Sequence, residues 1–296
     1  MVSQTGMPDQ LDWTDVKPRI LVSRCLGFEA CRWNGDVIHD ELVELLQPYV
    51  EFMTFCPECA VGLGVPRRPV RLVADANTSL DLRDQKVITR LMQPSTGIDV
   101  TDSMIHATGE FLDQCDTPDG AILKYRSPSC GPDQVRIYES GESNRVAGKG
   151  AGLFAQEVAS RFPVLPIEDE GRLHNYLIRE HWLTSVFAIA RLRYVGMLAK
   201  MRYLVEFHAR HKFLLMACNQ EGMRRLGQIV AAGSEREFEG TMSQYSMAFM
   251  RTITRPAQTP ARINSMMHIF GYFSKELSPA ERDNFLDLLE DYRRGA

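Results

Sequence analysis

The sequence of 296 residues contains no apolar run near the roughly 20 residues that a transmembrane helix needs. Its first residues also lack the basic and apolar regions of a secretory signal peptide. Since 44% of the residues are hydrophobic and 24% are charged, the composition is that of a soluble globular protein. We therefore expect a cytoplasmic protein with no membrane partner.

Several kinds of site are absent or weakly represented. The glycines form neither a phosphate-loop nor a dinucleotide-binding pattern. An odd number of cysteines, seven, does not suit a disulfide framework in the cytoplasm. Metal or thiol chemistry is therefore the better interpretation of those cysteines that follow strands.

Three cysteines occupy the same kind of position, just after a short apolar segment. Strand-like segments at 19–23, 50–55 and 120–125 lead to Cys25, Cys56 and Cys130. Pro57 directly follows Cys56 and cannot continue a central strand, so the chain leaves the sheet there. If the three strands are parallel neighbours, their carboxyl ends meet at one edge and the three thiols come together.

Helical and strand-like patterns alternate up to about residue 170. They predict a doubly wound, mainly parallel α/β domain of Rossmann-like class, with a helix capped by Asp40 and a strand at 135–138 beside the third strand. The domain prediction is a mobile arm at 1–16, this α/β domain at 17–170 and an all-α domain at 171–296, where apolar residues recur at helical spacing.

Converging thiols suit several chemistries, which the residues alone leave open. Structural zinc usually needs two cysteine pairs, and only Cys56–Cys59 has that spacing. A thioredoxin-like dithiol would open a helix, which the loop at 62–69 argues against. A nucleophilic cysteine needs a histidine, and none lies near the three motifs. An iron–sulfur cluster takes thiolate ligands and fits three of them.

Four sequence blocks, in order, carry a resemblance to a known family. They are CLG with CRWNG (25–35), CPE (56–58), GIDVT (97–101) and RSPSCG (126–131). Over roughly residues 17–165 the chain resembles the thiouracil desulfidase family. Its helical half looks like a second, uncharacterised domain often fused to the first, and the two together are similar to desulfidases that act on 4-thiouridine in transfer RNA.

The resemblance implies a [4Fe–4S] cluster held by Cys25, Cys56 and Cys130, with one iron free of protein ligands. It implies hydrolytic removal of sulfur, with Glu58 placed to deprotonate water and Ser127 to hydrogen-bond the base or assist proton transfer. The alternative role for Glu58 is a helix cap or an ion pair with a nearby arginine. We interpret Cys31 and Cys59 as small core residues, with a reserve ligand or a sulfur relay as the alternative role of each, and a Cys56–Cys59 chelate stays open.

Charge is unevenly distributed along the chain. Residues 1–180 carry 18 basic and 27 acidic side chains, whereas residues 181–296 carry 16 and 11. The basic half favours RNA over a free base as the partner, with Arg210, Lys212, Arg255 and Arg262 as candidate phosphate contacts, whereas a solvated helical surface is the alternative explanation of the same count. We expect no DNA partner. Two rival functions remain: a desulfidase of free thiouracil or thionucleosides, and a non-enzymatic iron–sulfur sensor or RNA-binding protein.

Overall fold

The computed structural model describes residues 11–74, 89–139 and 144–295. These residues form two compact units. The first unit lies within residues 17–187. The second unit consists of the chain after residue 187 together with the described residues before residue 17. The first unit is α/β and the second is helical, in agreement with the predicted fold class. The division falls at residue 187, whereas the sequence pattern changes near residue 170.

A four-stranded parallel sheet organises the α/β unit. Its strands in chain order are β1 (Arg19–Ser23), β2 (Glu51–Phe55), β6 (Gly120–Leu123) and β9 (Ile167–Asp169), and their order in space is β2-β1-β6-β9. Ser23 pairs with Phe55, and Val22 pairs with Ile122. The predicted arrangement of three parallel neighbours is therefore confirmed, and their carboxyl ends share one edge.

Apolar side chains cover both faces of this sheet, because β1 and β6 read as continuous buried runs. Ile20 and Val22 point to one face, while Leu21 points to the other. The elements between the strands are α1 (Glu41–Leu46), α2 (Pro57–Ala60), α3 (Thr101–Gln114) and α4 (Leu153–Arg161). As predicted, Asp40 caps α1, and its carboxylate accepts a 3.0 Å hydrogen bond from Val43 N.

A second sheet lies in the same unit, and the sequence analysis did not separate it from the first. It contains β3 (Arg71–Ala74), β4 (Thr89–Gln93), β5 (Ile98–Asp99), β7 (Val135–Tyr138) and β8 (Val146–Gly150), in the order β5-β4-β3-β7-β8. The expectation that 135–138 pairs beside the third strand is wrong, since β7 pairs with β3 and β8. Its buried residues, Val135 and Ile137, instead join a separate apolar core.

Long helices make up the second unit. They are the end of α5 (Tyr176–Leu198), then α6 (Met201–Cys218), α7 (Gln220–Ala232), α8 (Phe238–Ile253), α9 (Thr259–Phe273) and α10 (Pro279–Arg294). Phe207, Tyr245 and Phe249 are fully buried at its centre. None of the described helices combines the length and apolar character needed to cross a bilayer.

The first part of α5 belongs to the α/β unit, because Trp182 and Val186 are buried in the core against the parallel sheet. Residues 1–10 of the predicted mobile arm lie outside the described residues. Residues 11–16 do not follow the expectation of a loose arm. Leu11 is buried in the helical unit, and Trp13 meets the ring of Phe207 edge to face at 6.1 Å.

Candidate metal centre

The loop after β1 brings two cysteines to the carboxyl edge of the parallel sheet. Gly27 adopts φ 89°, a left-handed conformation that glycine adopts without a steric cost, and this turns the chain back on itself. Ile38 N then donates a 2.8 Å hydrogen bond to Cys25 O, which closes the loop. Cys25 is half-buried at the start of this loop and Cys31 is fully buried within it.

The chain after β2 forms a short helical turn, α2, where the sequence analysis expected a loop. Cys56 precedes this turn and Cys59 lies within it, so their side chains share one side of the turn. The Sγ atoms of Cys31, Cys56 and Cys59 all lie within 4.8 Å of one another. Cys31 therefore belongs to the thiol group, rather than being only a small core residue.

The loop after β6 carries Cys130, which is buried. Ser127 Oγ accepts hydrogen bonds from the backbone N–H groups of Ser129 (3.3 Å) and Cys130 (3.1 Å). These bonds occupy the lone pairs of the hydroxyl, and its proton can be donated to the sulfur of Cys130, a contact that lowers the pKa of that thiol against the larger effect of burial. Ser127 thus shapes the loop and retains a donor.

The predicted site residues of the α/β unit meet at one cavity of about 230 Å³. Cys25, Cys56, Cys130, Glu58 and Ser127 all line it. Five residues predicted from three separate motifs therefore line one cavity. Cys31 lines the cavity as well, in addition to being buried as predicted.

The surroundings of the thiols favour their neutral forms in the metal-free chain. The Cys31 thiol is stabilised in its neutral form by a hydrogen bond to Cys25, which raises the pKa of Cys31 to about 12, and burial raises the pKa of Cys59 to about 11. Contact with Cys31 raises the pKa of Cys56, and burial raises that of Cys130. All seven cysteines are free of disulfides. A cationic metal would reverse this preference, since coordination stabilises the thiolate.

Glu58 is held by two partners at the edge of the cavity. Arg67 Nε donates a 2.7 Å hydrogen bond to Glu58 Oε2, and Ser129 Oγ donates one of 2.8 Å to Oε1. Burial alone lowers the pKa of Arg67, but the Glu58 carboxylate outweighs it and the pKa lies above its usual value. The ion pair that was the alternative interpretation of Glu58 is therefore present, and the carboxylate still lines the cavity.

Neither Arg67 nor Ser129 was predicted by name as a partner of Glu58, although a nearby arginine was the alternative partner. Arg67 also donates hydrogen bonds to Cys31 O (3.0 Å) and Gly64 O (2.9 Å), so one side chain links the second cysteine motif to the first loop. The sequence feature that pointed to an arginine partner for Glu58 was the group of Arg67, Arg68 and Arg71 shortly after it. Ser129 lies in the third motif, in which Ser127 was the serine predicted to take part in the site.

The predicted RNA-binding residues have different surroundings. Arg210 is paired with Glu206, lies over the ring of Trp13 at 4.8 Å and donates a hydrogen bond to Leu11 O. This role in folding was not foreseen. Lys212 lies 5.7 Å from the ring of Phe213. Arg262 is close enough to lower the pKa of Cys218, against the larger opposite effect of burial.

Arg255 lies in a groove between α7 and α8 of about 590 Å³. Arg225 and Arg251 line the same groove, and Glu221 is its one acidic lining residue. Within the described chain these three guanidinium groups have no ion-pair partner, so the groove is positively charged. Arg225 and Arg251 lie on different helices, α7 and α8, so the sequence did not predict that both line this groove.

Comparison with protein families assigns both parts of the chain. Residues 20–170 match the family model described as 2-thiouracil desulfurase, and residues 212–296 match a model described as a protein of unknown function, DUF1722. The first match covers just over half of the chain.

Two individual proteins and one solved structure are similar to parts of this chain. The chain is 31% identical over 114 residues to the uncharacterized protein YbbK of Bacillus subtilis, covering 38% of this chain and 72% of YbbK. It is 30% identical over 93 residues to the uncharacterized protein YbgA of Escherichia coli, covering 31% of this chain and 55% of YbgA. A solved structure of the [4Fe–4S]-dependent thiouracil desulfidase TudS has 26% identity and a TM-score of 0.41, covering 53% of this chain and 94% of that one.

Proposed function

Because the chain belongs to the 2-thiouracil desulfurase family, we propose that residues 17–170 remove sulfur from a thiolated pyrimidine by hydrolysis. The observation that carries this proposal is the cavity in which Cys25, Cys56 and Cys130 meet Glu58 and Ser127. Free thiols beside a carboxylate and a hydroxyl supply both metal ligands and proton-transfer groups. The seven free cysteines also suit the reducing cytoplasm that we propose as its location.

The thiols fit a [4Fe–4S] cluster by the chemistry of the donor set. We propose Cys25, Cys56 and Cys130 as its ligands, which would leave one iron without a protein ligand. The closer group of Cys31, Cys56 and Cys59, with all sulfurs within 4.8 Å, has the size of a site for a single ion at about 2.3 Å from each sulfur. The ligands of a cluster bind different irons and therefore need to be more widely separated.

The cluster, when bound, supplies a soft Lewis acid for the sulfur of the thiocarbonyl group. Glu58 has its carboxylate fixed by Arg67 and Ser129, and we propose that it accepts the proton of the attacking water. Ser127 keeps a hydroxyl proton that it can donate to the base. In the net reaction, the water oxygen bonds to the ring carbon, the carbon–sulfur bond breaks and hydrosulfide leaves, with no change in oxidation state.

The finer proposal is that the substrate is 4-thiouridine in transfer RNA, bound with the help of residues 171–296. The groove with Arg225, Arg251 and Arg255 supports it, because three guanidinium groups without carboxylate partners suit a phosphate backbone. Lys212, without an ion pair within the described chain, and Arg262 remain further candidates. Arg210 is a weaker candidate, since its guanidinium is already paired with Glu206.

The test is anaerobic turnover by protein reconstituted with iron and sulfide. We expect loss of 4-thiouridine absorbance from transfer RNA with the native protein. Glu58→Gln should bind iron normally and turn over at least about 100-fold more slowly. Consumption of 2-thiouracil but not of the transfer RNA would favour the free-base desulfidase. No turnover of either substrate by a loaded protein would contradict the enzyme and favour a sensor.

A further inference from the structure

The thiols near the cysteine cavity form two overlapping sets. Cys25, Cys31, Cys56 and Cys130 line the cavity, whereas Cys59 does not. The Sγ atoms of Cys31, Cys56 and Cys59 nevertheless all lie within 4.8 Å of one another. Among the described residues, neither Cys25 nor Cys130 belongs to a group of three this close. Cys56 is therefore common to the close group and to the proposed cluster ligands.

Backbone hydrogen bonds hold the two pieces of chain that carry the close group. Cys56 precedes the turn α2 and Cys59 lies within it, and Cys56 O accepts a 3.1 Å hydrogen bond that closes the turn. Cys31 comes from the loop after β1. Arg67 N donates a 2.7 Å hydrogen bond to Trp33 O, which ties the chain after α2 to that loop. The close approach of the three sulfurs is thus a property of the main chain.

The carbonyl oxygen of Cys31 is shared by several donors. The thiols of Cys56 and Cys59 both donate to it, each with a sulfur–oxygen distance of 3.8 Å. Arg67 Nη1 donates to the same oxygen at 3.0 Å, and to Cys59 Sγ at 3.8 Å. If a metal ion displaced the two thiol protons, the oxygen would keep Arg67 as its partner. The sulfur of Cys59 would keep a donor as well, of the kind that supports a metal-bound thiolate.

The spacing of the three sulfurs suits one ion. At a zinc–sulfur distance of about 2.3 Å, tetrahedral coordination places two sulfur ligands about 3.8 Å apart. The close group would therefore contract by about 1 Å at most on binding. Thiolates select thiophilic ions such as Zn²⁺ over Mg²⁺ or Ca²⁺. Since Cys31 and Cys56 line the cavity, a water molecule there can supply the fourth ligand.

From this arrangement we infer that Cys31, Cys56 and Cys59 form a binding site for a single thiophilic metal ion of the Zn²⁺ class. The ion competes with the cluster, because both use the thiolate of Cys56. The site itself goes beyond the proposed function, which requires no single ion. The competition rests on that function, since it uses the cluster ligands proposed there.

Zinc binding to the iron-free full chain tests the site. The protein is kept anaerobic and reduced, and zinc is titrated in competition with a chromophoric chelator. We expect one ion per chain. Cys59→Ser and Cys59→Ala should each weaken binding by about 100-fold or more, because a thiolate ligand is lost. Cys130→Ser should bind zinc as tightly as the native chain, because Cys130 is not a member of the close group.

Cobalt(II) in place of zinc adds a spectroscopic measurement. The native chain and Cys130→Ser should both show the visible bands of tetrahedral thiolate coordination, and Cys59→Ser should not. Cys115→Ser is the matched control, since Cys115 is half-buried like Cys59 but lies outside the group. Circular dichroism checks that each variant is folded.

Two results would overturn the site. One is unchanged zinc affinity in both folded Cys59 variants. The other is a loss of affinity in Cys130→Ser that matches the loss in Cys59→Ser, since the ion would then lie on the proposed cluster ligands.

Competition is measured by the rise of cluster absorbance during reconstitution with iron and sulfide. One equivalent of zinc should slow this rise by about tenfold or more in the native chain and have little effect in Cys59→Ser. Cluster formation at the full rate with zinc still bound would overturn the competition.

The outcome is separable from that of the proposed function. A chain that binds zinc as expected but, once loaded with the cluster, desulfurates no thiopyrimidine would retain the site and refute the proposed reaction. A chain that desulfurates 2-thiouracil but binds no zinc through Cys59 would retain the reaction and refute the site.

Discussion

Arg67 Nε lies 2.7 Å from Glu58 Oε2, and both side chains are nearly excluded from solvent, at 4% and 12% exposure. A carboxylate in such a place needs a fixed cation, because an unpaired charge there would be strongly destabilising. The same guanidinium also holds the carbonyl of Cys31. The side chain of Arg67 therefore couples the orientation of Glu58, the proposed general base, to the position of the loop that carries Cys31.

Removing this arginine should destabilise the α/β unit. Arg67→Gln leaves Glu58 buried and unpaired, and we expect a loss of about 3 to 5 kcal/mol in the free energy of unfolding, measured by urea denaturation. The double variant Arg67→Gln with Glu58→Gln should lose less than the sum of the single variants. The exposed pair Arg90–Asp99 is the reference, since Arg90→Gln should cost under about 1 kcal/mol. Additive losses would contradict a coupled pair.

The cluster ligands are tested by substituting each cysteine singly. Cys25→Ser, Cys56→Ser and Cys130→Ser should each lose bound iron and the broad visible absorbance of an iron–sulfur cluster after anaerobic reconstitution. Cys31→Ser and Cys59→Ser should keep both. Cys115→Ser is a matched control, because Cys115 lies at the end of α3, outside the cavity.

Loss of iron from Cys31→Ser and Cys59→Ser, with retention in Cys25→Ser and Cys130→Ser, would be the opposite result. It would replace the proposed set by the close group of Cys31, Cys56 and Cys59.

The helical unit should lose stability in mild acid because of His211. Burial lowers the pKa of His211 to about 4, from 6.5 in an exposed histidine. As the pH falls, His211 is therefore protonated near pH 6.5 in the unfolded chain but only near pH 4 in the folded chain. Stability is fully present above pH 6.5 and falls as the pH drops toward 4, by up to about 3 kcal/mol.

Urea denaturation at several pH values measures this slope. His211→Gln should flatten it, although His208, whose pKa burial also lowers, should leave a smaller dependence. His268→Gln provides the control, since His268 is exposed on α9 of the same unit and should leave the slope unchanged. An equal slope in native protein and His211→Gln would contradict the assignment.

Two arginines of the helical unit should respond differently to substitution. Arg255→Gln should weaken binding of transfer RNA and lower the slope of log affinity against log salt by about one, as expected for one lost phosphate contact. Arg210→Gln should instead lower the melting temperature of the unit, since Arg210 holds Leu11 and Trp13. Filter binding and thermal denaturation measure the two effects. An unchanged salt slope in Arg255→Gln would remove the groove from the proposed RNA contacts.

The parallel sheet was predictable because its strands are short buried runs that end in turn residues. Cys25, Cys56 and Cys130 follow these runs, and parallel neighbours bring their ends together. The helical half was predictable for a similar reason, since its periodicity is local. In both cases the information lies within a window of a few residues.

The second sheet and the partners of Glu58 depend on contacts between distant residues. β7 reads like any strand, and only its buried neighbours in space determine that it pairs with β3 and β8. Ser129 lies 71 residues from Glu58 in sequence. Arg67 is nearer, but its side chain turns inward because carbonyl groups of Cys31 and Gly64 receive it. No periodic pattern records such pairings.

The loop of Cys130 rests against the segment that opens α4. Gly152 N donates to Gly131 O, and Phe154 N donates to Ser129 O. A Cβ at Gly152 would collide with the carbonyl of Ser129, so this close approach requires glycine. The thiol of Cys130 consequently has its place fixed by main-chain hydrogen bonds before iron arrives. Gly152→Ala should therefore displace the thiol of Cys130, although it replaces none of the cysteines, because the backbone beside Cys130 would have to move away from the new Cβ.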